Sequence, residues 1–180
     1  MRLCVPIPCF FGQMNFAEAI RRVRALGFDA AETYNWKELD AESVRRACAE
    51  NGVELLSMCT TEFRMTDEAF RSAWLDGLRE SCAAARALGV KRLITQVGPD
   101  TGAPREKQHE NIVETLRQAA AILEDSGVTV MLEPLNTLVD HKGYYLWSAV
   151  EGFEIIREVN HPLVKMVFDI YHQQIMEGNI

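Results

Sequence analysis

Two periods of hydrophobicity alternate along the chain. Stretches with the spacing of an amphipathic helix end at a glycine, and each is followed by a short, nearly continuous apolar run. The unit recurs as RRVRALG-FDAAETY, RRACAENG-VELLSMC, AAARALG-VKRLITQVG and AAILEDSG-VTVMLEPLN. Its glycines are Gly27, Gly52, Gly89 and Gly127, placed where a left-handed residue closes a helix. Runs of this length and composition are expected for parallel strands buried on both faces. Helix starts agree: Asn15 with Glu18 and Ser148 with Glu151 fit a cap-x-x-Glu pattern, and Asp40 can cap in the same way.

The predicted order is strand 2–10, helix 16–26, strand 29–35, helix 41–51, strand 53–60, helix 67–88 and strand 91–97. Helix 105–126, strand 128–134, helix 149–159 and strand 164–171 complete it. Such alternation means a parallel sheet with right-handed crossovers. An open doubly wound sheet would usually carry a Gly-rich phosphate loop after its first strand, and CFFGQMNF is not one. A (β/α)8 TIM-barrel type places its site at the carboxyl ends of the strands. The polar residues fall there: Glu32 and Tyr34, Thr60 and Glu62, Gln96, Glu133 and Asn136, then Asp169 and His172. The expectation is therefore an α/β chain of the TIM-barrel type, one domain over residues 1–180, with about six β/α units present.

Composition narrows the function. The 180 residues are 48% hydrophobic and 25% charged, as for a soluble domain with a sizeable core. No apolar run reaches the ~18 residues of a membrane span, and the first segment reads as a strand and not a signal peptide. The net charge of −7 and the scattered basic residues argue against nucleic-acid binding. Cys4, Cys9, Cys48, Cys59 and Cys82 form no C-x-x-C pair, which suggests reduced thiols and a cytoplasmic location.

Glu133 lies in VTVMLEP, a run otherwise apolar except for Thr129, where an ionised carboxylate needs a cation or hydrogen-bond donors. Metal or catalytic use competes there with a salt bridge to a neighbouring strand. Asp169 and His172 end the sixth strand, and carboxylates with an imidazole suit Mn²⁺, Co²⁺, Zn²⁺ or, less well, Mg²⁺. Taken alone, Asp169 could equally cap a turn and His172 sit satisfied in a loop. Gln96 can face the same site or bond a loop. His141, Tyr144, Tyr145 and Trp147 form either a wall over a substrate or an ordinary packed loop. A salt bridge is the readier reading for Glu32, solvation for His109 and His161, and simple burial for Cys59.

EPLNTLVDHKGYY, FDIYHQQIMEGN and ITQVG resemble the sugar isomerase/epimerase superfamily of xylose-isomerase-like barrels, and within it the hydroxypyruvate isomerase branch. The likeness runs from Leu3 to the last residue. It implies a metal-dependent isomerase that interconverts a small hydroxy-aldehyde and hydroxy-ketone by enediolate proton transfer. It further implies that Glu133 binds a divalent ion (Mn, Mg, Co or Zn) and moves a proton, that Asp169 is a second ligand, and that His172 contacts substrate oxygens; Gln96 and Asn136, by their place at the strand ends, are the further substrate-binding candidates. In the family, the seventh and eighth strands supply a His or Gln and a further Glu, the second proton-transfer group. This chain has no matching residues, so little turnover is expected of the 180 residues by themselves.

The rivals are a ketose 3-epimerase or an inositol-pathway isomerase or dehydratase on the same barrel, a non-catalytic binding or assembly module, and, more distantly, a DNA-repair endonuclease. Six strands should leave open edges. Pro6 and Pro8 would remove two amide donors from one side of the first strand, while VKMVFDI lacks such protection. A homo-oligomer is therefore expected.

Overall fold

In element order, the β/α alternation is borne out. The computed structural model describes residues 2–61 and 63–178. The strands are β1 (Val5–Pro6), β2 (Ala30–Glu32), β3 (Glu54–Cys59), β4 (Arg92–Thr95), β5 (Thr129–Leu132) and β6 (Val164–Met166). The helices are α1 (Ile7–Phe11), α2 (Phe16–Ala25), α3 (Ala41–Asn51), α4 (Arg71–Leu88), α5 (Arg105–Ser126), α6 (Ala149–Val159) and α7 (Ile170–Met176). The strands form one sheet in chain order, β1 to β6, and every pairing is parallel. Successive helices pack side by side along one face, as in a TIM barrel.

The caps follow the sequence. Asn15, Asp40 and Ser148 accept backbone amides of Ala17, Ser43 and Glu151. Glu151 does not return the bond expected of a capping box; it accepts the Tyr145 hydroxyl at 2.7 Å and pairs with Arg105. Gly52, Gly89 and Gly127 close α3, α4 and α5 with φ of 60°, 77° and 67°, which a side chain would disfavour.

Three expectations need correction. The strands are buried on both faces only in part, as at Ala30 and Ala31 of β2 and Leu93, Ile94 and Thr95 of β4. On the helix-covered side Leu93, Val130, Leu132 and Val164 have no exposure. On the concave side Arg92 and Lys165 are exposed and Met131 is half-buried. Among the described residues the concave face is closed at Ser57 and Ile94 and open at Arg92, Met131 and Lys165.

The first strand is also shorter than 2–10. Residues 7–11 turn into α1, and Pro8 lies in its first turn, where a missing amide donor costs nothing. Pro6 and Pro8 therefore do not share a strand. Finally, strand 164–171 stops at Met166, and Asp169 caps α7 by accepting the amides of Tyr171 and His172. A short side chain that satisfies two orphan amides starts a helix there.

Candidate active site

The carboxyl ends of β2 to β6 surround a cleft of about 660 Å³. The strand register builds it. Ile94 lies beside Cys59 and Met131, so the next concave-face residues, Gln96 and Glu133, are neighbours at the rim. The Glu133 amide donates to the Thr95 carbonyl at 3.0 Å, which continues the ladder one residue past β5. The Val167 amide does the same to Leu132 at 2.8 Å, aligning the segment that carries Asp169.

Glu133, Asp169 and His172 converge. Each offers one donor atom, and these atoms lie within 4.8 Å of one another. The Glu133 carboxyl is pushed up to about 7, first by burial and then by the Asp169 charge; a hydrogen bond from Gln96 opposes the rise. Two carboxylates facing each other in a half-buried cleft are short of one positive charge. Burial also pushes the His172 imidazole below its usual value.

Asp169 is held in place by its cap: Oδ1 accepts the Tyr171 amide at 2.8 Å and the His172 amide at 3.3 Å. Its Oδ2 lies 3.8 Å from His172 Nε2. The other ring nitrogen, Nδ1, faces Asn136, whose side-chain Nδ2 is 2.8 Å away.

Gln96 lines the cleft beside Glu133. Asn136 does not line it. This residue is fully buried one layer back, bonded to His172 and the 136–140 loop, so the structure does not bring it to where a substrate would sit.

Glu32 lines the cleft and accepts the Ser57 hydroxyl at 2.9 Å, in place of the expected salt bridge. Cys59 reaches the cleft too, but burial and the nearby Glu133 and Glu32 charges push its thiol up to about 12. It is no nucleophile at neutral pH. Glu62 lies outside the described residues.

The loop after Glu133 is partly wall and partly scaffold. His141 lines the cleft, and its ring meets that of His172 edge-on at 5.4 Å. Tyr144 instead fastens the strand ends: its hydroxyl accepts the Val97 amide at 2.7 Å and donates to the Glu133 carbonyl at 3.2 Å. Tyr145 is buried against Arg105 and Glu151. His109 and His161 are not simply solvated; they lie 3.1 Å from Glu158 and 3.2 Å from Glu124.

Sequence reasoning passed over Trp36. It lines the cleft from the β2–α3 connection and donates Nε1–H to the Cys59 carbonyl at 3.0 Å. The available signal was its position, an aromatic just past a barrel strand.

The family model described as "Xylose isomerase-like TIM barrel" matches residues 20–180. The chain belongs to this family. Hydroxypyruvate isomerase of Escherichia coli (strain K12) is 26% identical over 189 residues, covering 100% of this chain and 73% of that enzyme. The 2-oxo-tetronate isomerase of Cupriavidus necator is 40% identical over 97 residues, covering 53% of this chain and 37% of that enzyme. Among solved structures, an AP endonuclease, family 2, from Brucella melitensis superposes with a TM-score of 0.91 at 25% identity, over 100% of this chain and 73% of that one. The likeness to isomerases thus spans the whole of this chain.

Proposed function

We propose that this cleft is the site of a metal-dependent isomerase that interconverts a small hydroxy-aldehyde and hydroxy-ketone, of the hydroxypyruvate isomerase kind. The observation that carries the reading is the convergence of Glu133, Asp169 and His172 at the carboxyl ends of two adjacent strands. The donor set fits a divalent cation. The Asp169 charge opposes ionisation of Glu133, and a cation between the two carboxylates removes that opposition. Oxygen donors suit Mn²⁺, Co²⁺, Zn²⁺ or Mg²⁺, with waters filling the remaining positions. Such an ion, when bound, supplies Lewis acidity to the carbonyl and hydroxyl oxygens of the substrate, where negative charge develops.

The rest of the work belongs to side chains. A carboxylate has two oxygens, so Glu133 can serve as a ligand and still take a proton from one substrate carbon and return it to the next. Gln96 orients that carboxylate. His172 presents Nε2 to a substrate oxygen. Trp36 and His141 form walls that restrict water. Among the described residues Glu32, across the cleft, is a further carboxylate that lines this space. A nucleic-acid substrate fits poorly with a net charge of −7.

Titration of Mn²⁺ into the 180-residue chain, followed by calorimetry, is the direct test. Binding is expected to be weak, and lost in Glu133→Gln and Asp169→Asn. An equal affinity in all three proteins would defeat the proposal. Interconversion of hydroxypyruvate and tartronate semialdehyde, with and without chelator, tests the reaction itself. Loss of one general acid–base group costs about 10²–10⁴ in rate, so little turnover is expected if Glu32 does not serve as a second proton carrier beside Glu133. Any turnover must vanish in Glu133→Gln.

A further inference from the structure

Asn136 accepts and donates in a pattern that leaves no choice of orientation for its amide. Its Oδ1 accepts two backbone amides, Val139 at 3.1 Å and Asp140 at 2.9 Å. An oxygen must therefore occupy that side, and Nδ2 the other. Nδ2 donates to Asp140 Oδ2 at 2.9 Å and points its second hydrogen at His172 Nδ1, 2.8 Å away. The Asn136 backbone amide also donates to the same Nδ1, at 3.2 Å. Asp140 is fixed in turn by the Tyr171 hydroxyl at 2.6 Å, one residue before His172. Asn136 and His172 are both buried, and the exposed Asp140 and Tyr171 complete the chain of bonds at the surface.

An imidazole nitrogen that accepts two N–H donors carries no proton. In the neutral ring the proton must then reside on the other nitrogen, Nε2, which faces Asp169 at 3.8 Å. We propose that Asn136 is a positioning residue that holds His172 in the Nε2–H tautomer, so that His172 meets the cleft as a hydrogen-bond donor and not as a metal ligand. Distance alone would group His172 with Glu133 and Asp169 as a third ligand. The tautomer assigns it differently. A ring nitrogen bearing a proton has no lone pair in the ring plane for a metal, but it can donate to a substrate oxygen or to the Asp169 carboxylate. The same arrangement explains why Asn136 matters to the site without lining it. The consequence for substrate rests on the isomerase reading above; the tautomer itself does not.

The test substitutes the donor by an acceptor of the same shape. In Asn136→Asp, one carboxylate oxygen still accepts the two loop amides, while the other faces Nδ1 and requires a proton there. The metal-free 180-residue chain, labelled with ¹⁵N at histidine and held at pH 8, is read by two-bond ¹⁵N–¹H correlation. His172→Gln assigns the signal. In the unsubstituted chain Nε2 is expected at a protonated-nitrogen shift and Nδ1 at an unprotonated one. In Asn136→Asp the Nδ1 signal should move to the protonated position. Because the new carboxylate also faces Asp140, the double variant Asn136→Asp with Asp140→Asn restores a donor between positions 136 and 140, and it must show the same movement with unchanged circular dichroism. A proton on Nδ1 in the unsubstituted chain overturns the proposal, as does an unmoved Nδ1 signal in the folded double variant.

The Mn²⁺-loaded chain gives a second readout. Electron spin echo modulation should show no directly bound imidazole nitrogen in the unsubstituted protein; a directly bound nitrogen overturns the assignment. Failure to bind Mn²⁺ at all would count against the isomerase reading, and the tautomer would still be decided by the metal-free spectra.

Discussion

Glu133 is the residue at which stability and function oppose each other. In the unfolded chain its carboxyl ionises near the ordinary 4.5, and in the cleft only at about 7. Between these values the unfolded state loses its proton while the folded state keeps it. Stability therefore falls as pH rises from about 4.5 to 7, and levels off above. The raised value sets the sign: the contribution is intact below the unfolded pKa and lost as pH passes the folded one. At 1.36 kcal/mol per pKa unit, the loss is about 3 kcal/mol. Glu133→Gln removes the ionisable group and keeps its shape. The metal-free variant should be more stable than the parent by about that amount at pH 8, and equal to it near pH 4. Urea denaturation at the two pH values measures the difference. A variant less stable than the parent at pH 8 would mean that the Glu133 charge is already compensated in the metal-free protein.

Glu133, Asp169 and His172 were legible in the sequence because polar residues after apolar runs have few other places to go. The role of Asn136 was not. Its neighbour in the sequence motif is Glu133, but its bond is to a ring 36 positions away. Only the fold brings the two together. The sequence suggested contact with substrate, and the structure shows contact with the residue that faces the cleft.

At the scale of elements, the strand–helix boundaries followed from caps and glycines, and the misreadings came where an apolar run carried no such mark. CVPIPCFF is apolar throughout, and neither its composition nor its prolines distinguish a strand from a strand that turns into α1 after Pro6. FDIYHQQ did carry a mark: Asp169 is a cap residue, but it also ends an apolar run, and the strand reading absorbed it. One connection could not have been anticipated from periodicity. Gly98, with φ 99°, lies against the backbone after β3, and a Cβ there would come within 1.8 Å of the Phe63 carbonyl oxygen. The Met65 amide bonds the Val97 carbonyl at 2.8 Å beside it. Two loops at the cleft rim thus meet backbone to backbone, and only glycine permits it. Gly98→Ala should destabilise the protein by at least ~2 kcal/mol, from clash and backbone strain together. It should also loosen the Phe63–Met65 segment, read as faster amide exchange there than in α5. Unchanged stability would show that the two loops separate at little cost.

The whole molecule has one sealed face and one partly open one, and that asymmetry bears on association. Helices cover the outer side of the sheet, where Leu93, Val130, Leu132 and Val164 have no exposure, while Arg92 and Lys165 on the concave side are exposed. β6 is a terminal strand of the sheet. Just after it Phe168, Ile170 and Tyr171 are 47%, 63% and 55% exposed, three large side chains within four residues. On the neighbouring α6, Val150 and Phe153 are 64% and 53% exposed. Single exposed apolar residues are ordinary, but a run of them beside an unpaired strand edge marks a surface that gains by being covered. A second copy of the same chain is always at hand to cover it, and a two-fold contact buries the patch on both partners at once. The expected state at micromolar concentration is therefore a dimer, measured by sedimentation velocity. Ile170→Glu tests the surface with little risk to the fold, because an acidic residue in the first turn of α7 suits the helix dipole. It should shift the equilibrium toward monomer by tenfold or more, the effect of removing about 1.4 kcal/mol of burial. If the parent chain already sediments as a monomer at tens of micromolar, or if Ile170→Glu leaves a dimer unchanged, the patch beside β6 is not the contact.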